Sequence, residues 1–265
     1  MKQFEQFCDK LAKKDLSSEY FFYMLKKYEY LNDFEITSVE ELNSLGLDAV
    51  EKNEGILSLL TKDRAWQEQR FCVVDIETNN LTQNEARVIE IGAVTLKDGK
   101  ILDEFNSFAF ADFLPEAIVN LTGITVDMLK SAPNEAEVLE KFRLFLGTDV
   151  FVAHNVDFDY TFLNNAFKRH NFAPFLNRKL CTIKLARKTI KSVKYGLGTL
   201  REVLEINEGT LHRALSDAKS AARVFQESCK NLPKWVSTTE DLIEFAKSNK
   251  SFLEPQLPFM DEEQR

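Results

Sequence analysis

Two acids, Asp75 and Glu77, interrupt the otherwise apolar run Phe71-Cys72-Val73-Val74-Asp75-Ile76-Glu77-Thr78. A β-branched, apolar run of this kind reads as a buried strand. Side chains alternate across a strand, so both carboxylates point to one face while Cys72, Val74 and Ile76 point to the other. Like charges about 7 Å apart along a strand repel each other and lose hydration when covered. A divalent cation between them removes both penalties, and oxygen ligands favour Mg²⁺ or Mn²⁺. The alternative is a strand end where both acids face water, as unpaired acids usually do.

Two further acids fall on helical patterns. Ala153-His154-Asn155-Val156-Asp157-Phe158-Asp159 leaves a strand and enters a helix running to about Arg169. There Asp159 shares a face with Phe162, Leu163 and Ala166, which are core positions. Asp157 lies about 200° further round and faces solvent or caps the helix. In Leu211-His212-Arg213-Ala214-Leu215-Ser216-Asp217-Ala218, Asp217 shares its face with Ala214, Ala218 and Ala221. Small neighbours let that face approach another backbone closely. His212 stands at or before the helix start, where an imidazole titrating near neutrality could reach over the acids; a plain surface histidine is the other reading. Glu90 reads as structural, and His170 has no partner visible in the sequence.

The elements that must position these groups follow from periodicity. A second strand spans 89–96, the Asp98-Gly99 pair supplies a hairpin turn, and a returning strand spans 101–110. A helix near 134–146 precedes a short apolar strand at 150–153. Strands first, then alternating helix and strand, imply an α/β fold with a mixed sheet flanked by helices. Residues 1–68 read as a helical module: Phe4, Phe7, Cys8 and Leu11 recur at helical spacing, Ser38 and Glu41 form a capping box, and a last helix spans about 50–62. After Pro233, Ser237 to Glu240 read as a capping box opening a final helix to about Ser248. The expected division is therefore 1–68, 69–230 and 231–265, the last ending in an extended tail.

The composition, 44% hydrophobic and 29% charged over 265 residues, is that of a water-soluble globular protein. No apolar run is long enough for a membrane helix and no signal-type segment opens the chain, which points to the cytoplasm and away from membranes. Four widely spaced cysteines argue for free thiols rather than zinc. The net charge of −8 would disfavour a nucleic-acid partner, but 160–201 contains no acid and ten basic residues. That stretch is either a phosphate-binding surface or a set of solvated helix faces.

The order Asp75-x-Glu77, His154-Asn155-x-x-Phe158-Asp159 and His212-x-Ala214-x-x-Asp217 resembles the DEDDh group of 3′→5′ exonucleases. Within it the chain is most similar to the proofreading epsilon subunits of bacterial replicative DNA polymerase. Val88 to Val94 and Leu121-Thr122-Gly123-Ile124-Thr125 add to the match, which covers about residues 69–228. The resemblance implies a ribonuclease H-like fold and two-metal phosphodiester hydrolysis with Mg²⁺ or Mn²⁺. It also implies roles: Asp75 bridging two ions, Glu77 and Asp217 holding one, Asp159 serving the other, and His212 as general base. Thr78, Thr122, Gly123 and Asn155 are the implied substrate contacts, although Asn155 could equally cap the helix that follows it. Where the family often continues with Thr-Gly, Thr78 is followed by Asn79-Asn80, which puts substrate preference in doubt.

The implied substrate is a single-stranded or frayed DNA 3′ end, and the implied partner a replicative polymerase catalytic subunit. RNA 3′-end trimming uses the same acids, and a non-catalytic replication adaptor is the reading from a different class. Gln256-Leu257-Pro258-Phe259 resembles peptides that dock on the bacterial sliding clamp, with Gln256, Leu257 and Phe259 as anchors.

Overall fold

The computed structural model describes residues 2–53, 55–80 and 86–248. The first segment runs α1 (Lys2–Lys13), β1 (Leu16–Ser17), α2 (Ser18–Leu25), α3 (Val39–Ser44), β2 (Ala49–Lys52), β3 (Ile56–Leu59) and α4 (Leu60–Asp63). The Ser38–Glu41 capping box is present at α3. The helix expected over 50–62 is not there. β2 and β3 form a hairpin instead, and β1 pairs with β3 to give a small antiparallel sheet. Asn53 and Gly55 adopt positive φ in the turn, a conformation that ends a helix and suits a hairpin. Phe7, Leu11, Phe21, Leu42, Leu57 and Leu59 share one core, which also takes in Leu176 from much later in the chain.

The main sheet is built from β4 (Phe71–Thr78), β5 (Val88–Lys97), β6 (Lys100–Phe108), β7 (Val150–Ala153) and β8 (Lys179–Cys181). Its order is β6-β5-β4-β7-β8, with β4, β5 and β6 antiparallel and β4, β7 and β8 parallel. Asp98 and Gly99 both take positive φ in the β5–β6 turn, as that turn type requires. Helices α5 (Glu116–Thr122), α6 (Val126–Leu129), α7 (Glu135–Leu146), α8 (Val156–Arg169), α9 (Thr182–Thr189), α10 (Leu197–Val203), α11 (Ala214–Cys229) and α12 (Thr239–Lys247) cover the sheet. Cys72, Val74 and Ile76 pack with Phe142, Leu163 and Phe167 of α7 and α8. Phe71 and Val73 pack on the other side with α9, α11 and α12. Asp75 and Glu77 therefore belong to the α11 face, as the alternation required.

The last helix begins one residue later than its sequence signal: Thr238 caps it and Asp241 completes the box. Asp241 also accepts from the Ser237 amide and hydroxyl, which is why either register looks acceptable. Around α12 the segments meet. Buried Arg178 bonds Glu240 at 2.6 Å and Asp9 of α1 at 2.7 Å, while Thr61 donates to Glu240. No helix among the described residues is long and apolar enough to cross a membrane.

Candidate active site

The site forms where β4 outruns its neighbour. Pairing with β7 ends at Val74 opposite Ala153, so the end of β4 opens into a notch. The chain leaves β7 through His154 and Asn155 and starts α8 there, bringing Asp159 in the first turn towards the Ile76 backbone. Asp159 is 5% exposed. From the other face, α11 lies almost on the β5 backbone. A Cβ added to Gly92 would sit 2.0 Å from the Leu215 nitrogen, and Gly92 is the residue paired with Asp75. The alanine-rich face of α11 and the glycine of β5 together allow this approach, which carries Asp217 to Glu77.

One ligand atom each from Glu77, His212 and Asp217 lie within 4.8 Å of one another. Asp75 stands outside that triad and adjoins it, with Asp159 its strongest charged neighbour, then Asp217 and Glu77. Burial, followed by these like charges, drives the Asp75 carboxyl well above the ordinary range. Burial and then Asp217 and Glu90 push Glu77 to about 7. Burial also raises Asp159 against the opposing pull of backbone amides, and raises Asp217 despite the nearby His212 and Arg201. Asp217 Oδ2 accepts the His212 amide at 2.9 Å, whereas its buried Oδ1 has no hydrogen-bond partner. A crowded set of carboxylates with an unpartnered buried oxygen fits a hard divalent cation.

His212 is exposed and sits at positive φ, immediately before α11. Its turn is tethered from below by Glu90, which is 1% exposed. Glu90 accepts from the Arg213 guanidinium at 3.1 Å and the Ala214 amide at 3.1 Å. It is a structural acid, opposite Glu77 in the ladder. Arg201 was counted in the sequence only among the basic residues. It donates to the Gly209 carbonyl and lies 3.7 Å from Asp217 Oδ1, joining the His212 turn to the acid. Arg213 and Arg201 had no sequence signal beyond their types, and Gly92 none beyond its place in the Val88 to Val94 match, because strand register and helix docking give them their place.

The other expected residues divide. Thr78 hydrogen-bonds the Asn80 carbonyl at 2.9 Å on the strand leading out of the site. Thr122 is buried, its hydroxyl bonded to the Ile118 carbonyl and the Ile124 amide, so that hydroxyl is not free for a nucleotide. Gly123 ends α5 in the left-handed conformation. Asn155 is exposed with φ at 87° and makes no side-chain cap, which removes capping as its explanation. His154 accepts from the Thr182 hydroxyl through Nδ1 and donates through Nε2 to the Tyr195 carbonyl at 2.9 Å, since a carbonyl can only accept. Burial lowers its pKa to about 4, and it fastens the turn before α8. His170 does have a partner, Glu135 at 2.8 Å. Gln256, Leu257 and Phe259 lie outside the described residues.

The ten cations of 160–201 do not form one surface. Arg169 pairs with Glu135, Arg178 with Asp9 and Glu240, Lys179 with Glu5 and Asp157, and Lys184 with Asp157. Lys188 donates to the Phe245 and Ser248 carbonyls. Local absence of acids in sequence hid partners supplied by distant segments.

A mixed sheet with acids gathered at the end of its central strand, from both flanking helical layers, has the architecture of a ribonuclease H-like fold. Residues 72–225, more than half of the chain, match the RNase_T family, described as Exonuclease, and the chain belongs to that family. DNA polymerase III PolC-type of Staphylococcus haemolyticus is 36% identical over 184 residues, covering 68% of this chain and 13% of that protein. Its counterpart in Oceanobacillus iheyensis is 37% identical over 178 residues, covering 66% and 12%. The chain thus spans only 12–13% of the length of these curated relatives. The nuclease domain of 3'hExo, a DEDDh family member solved bound to rAMP, shares the fold with a TM-score of 0.54 and 22% identity, over 62% of this chain and 92% of that one. The resemblance to DEDDh 3′→5′ exonucleases, and to the polymerase III proofreading domain, agrees with these relatives.

Proposed function

We propose that the protein is a metal-dependent 3′→5′ exonuclease acting on single-stranded or frayed DNA 3′ ends, with a proofreading role in replication. The observation that carries this reading is the gathering of Asp75, Glu77, Asp159 and Asp217 with His212, with a buried Asp217 oxygen left unpartnered. DNA is favoured because the curated relatives are DNA polymerases. In this reading Asp75, Glu77, Asp217 and Asp159 would hold two divalent ions, Mg²⁺ or Mn²⁺, with Glu77 and Asp217 serving one, Asp159 the other and Asp75 both. Bound there, the ions neutralise the acids and stabilise the charge that develops on the phosphate. His212 takes the proton of the attacking water from its exposed turn. The water oxygen bonds to phosphorus, the bond to the preceding 3′ oxygen breaks, that oxygen takes a proton from solvent to become a 3′ hydroxyl, and a nucleoside 5′-monophosphate leaves. Asp217 Oδ2, Arg201 and the Glu90–Arg213 pair hold the His212 turn in place for that transfer. Thr78, Asn155 and the backbone around Gly123 are the proposed contacts to the terminal nucleotide.

Residues 1–68 and 231–248 act as supports for 69–230 through Leu176 and Arg178. Partners in this reading are a cytoplasmic replicative polymerase and, through Gln256, Leu257 and Phe259, a sliding clamp. Alanine at those three positions should abolish co-purification with the clamp, and unchanged recovery rejects the tail's role. The test of the activity is degradation of 3′-labelled mismatched DNA, matched DNA and RNA with Mg²⁺ or Mn²⁺. Metal-dependent loss from the 3′ end, fastest on mismatched DNA, is expected. Full activity in EDTA, or activity surviving Asp75→Ala, overturns the metal reading, and preference for RNA replaces proofreading with RNA trimming.

A further inference from the structure

Three cations of the acid-free stretch remain once the internal pairs are removed and Lys168, on the last turn of α8, is set aside. Arg187, at the end of α9, and Lys191 and Lys194, in the loop after it, are exposed and have no carboxylate partner among the described residues. Their loop is shaped from within: Tyr195 Oη donates to the Ile190 carbonyl at 3.0 Å and Ser192 Oγ to the Lys194 carbonyl at 2.6 Å. The Arg187 guanidinium lies 5.9 Å from the Tyr195 ring centre. Between the lysines, Val193 is 93% exposed.

The loop is tied to both turns of the active site. The Tyr195 carbonyl accepts from His154, next to Asn155 and the start of α8. Three residues on, a Cβ at Gly198 would meet Leu211 Cδ1 at 3.7 Å, and Leu211 precedes His212. Tyr195 and Gly198 therefore lie on the rim that joins the Asp159 side of the site to the His212 side; Lys194 adjoins Tyr195, and Arg187 and Lys191 lead away from it along the end of α9, where the Thr189 carbonyl accepts from Asn231 beyond α11. A polyanionic strand reaching these acids in a chain of net charge −8 needs positive charge for the phosphates that follow the scissile one.

We propose that Arg187, Lys191 and Lys194 form a track for the phosphates of the single strand upstream of the 3′-terminal nucleotide, with Val193 and Tyr195 as the surface against which its bases rest. This rests on the exonuclease reading and makes the enzyme's preference one for a single-stranded tract rather than for a bare 3′ end. The phosphates are common to DNA and RNA, so the track serves either.

The test compares wild type with the triple variant Arg187→Gln, Lys191→Gln, Lys194→Gln, all exposed positions. Substrates are a single-stranded oligodeoxynucleotide, the oligoribonucleotide of the same sequence, and thymidine 5′-monophosphate p-nitrophenyl ester, which has no upstream phosphate. On the better oligonucleotide the KM should rise about tenfold or more with kcat unchanged, and the dependence of log kcat/KM on log salt should flatten by about two units, at ~0.7 for each lost phosphate contact. Ester hydrolysis should be unchanged. An oligonucleotide KM and salt slope equal to wild type overturn the track, as does equal loss on the ester. A wild type inactive on all three substrates defeats the exonuclease reading instead. The track is then judged by anisotropy of the labelled oligonucleotide, where equal affinity of variant and wild type overturns it.

Discussion

Glu135 and Glu240 are covered by protein much as Asp159 and Asp217 are, yet their surroundings are opposite in kind. Glu240 meets Arg178 through two guanidinium nitrogens and takes the Thr61 hydroxyl; Glu135 meets Arg169, His170 and the Val88 amide. Each carboxylate is compensated by groups of the chain itself. At the end of β4 the charged neighbours of Asp75 and Glu77 are mostly other acids, Asp159 meets backbone amides, Asp75 and Glu77, and Arg201 is a distant 3.7 Å from Asp217. Burying charge is unfavourable unless it is paired. The first region meets that condition with residues and gains a fixed junction between segments. The second lacks such partners, and that is the compensation the proposed divalent cation would supply.

The largest expected effect falls on the second region. Asp75→Asn or Asp217→Asn should lower exonuclease activity at least about a thousandfold, roughly 4 kcal/mol of barrier. Without metal their melting temperature should equal or exceed that of wild type, because a repelling charge is gone. A melting temperature well below wild type would mean these acids are structural like Glu240. The junction should respond the other way. Arg178→Met strands Glu240 and leaves Asp9 to Lys247 alone, so it should cost about 3–5 kcal/mol in denaturant unfolding, whereas metal-dependent activity per folded molecule survives.

Gly92→Ala probes the approach that joins strand to acid. The added methyl overlaps the α11 backbone, so a loss of about 3 kcal/mol is expected, with reduced activity in the folded fraction. Addition of Mg²⁺ or Mn²⁺ should then separate the regions directly. At a hundred times the dissociation constant a bound ion stabilises by about 2.7 kcal/mol. Wild type and Arg178→Met should both gain, and Asp217→Asn should gain much less; an equal gain in all three proteins would detach the ion from this site.

The smallest effect is acid sensitivity of the junction. Burial opposes ionisation of Glu5 and Asp9, but Lys247 and Lys179 hold Glu5 below its ordinary value of 4.5, and Arg178 and Lys247 hold Asp9 below 3.8. Carboxyls lowered in the fold contribute stability that is present above those ordinary values and is lost as pH falls through the lower folded ones. Unfolding followed from pH 6 to pH 2 should therefore show loss beginning below about 4.5, and Lys247→Gln should shrink that loss.

Much of this was legible in residue order. The strand 71–78, the helix through Arg169, the Asp98-Gly99 hairpin and the core-facing Asp159 and Asp217 all follow from period and turn chemistry, which are local properties. The β2–β3 hairpin was misread because Ile56, Leu57, Leu59 and Leu60 suit a helix as well as a strand, and β3 is a strand through its pairing with β2 on one side and with Leu16, forty-one residues from Leu57, on the other. The pairings of the acid-free stretch are hidden for the same reason: Asp9, Glu5, Glu135 and Glu240 are remote in the chain and adjacent in space. The sequence by itself determined the donor set, five side chains of the right chemistry on elements of the right type. Only the tertiary structure decided which acids are left without a partner, because that depends on which distant cations arrive. Arg178 reaches Glu240 and Arg213 reaches Glu90, and none comes close enough to satisfy the Asp217 oxygen at the end of β4.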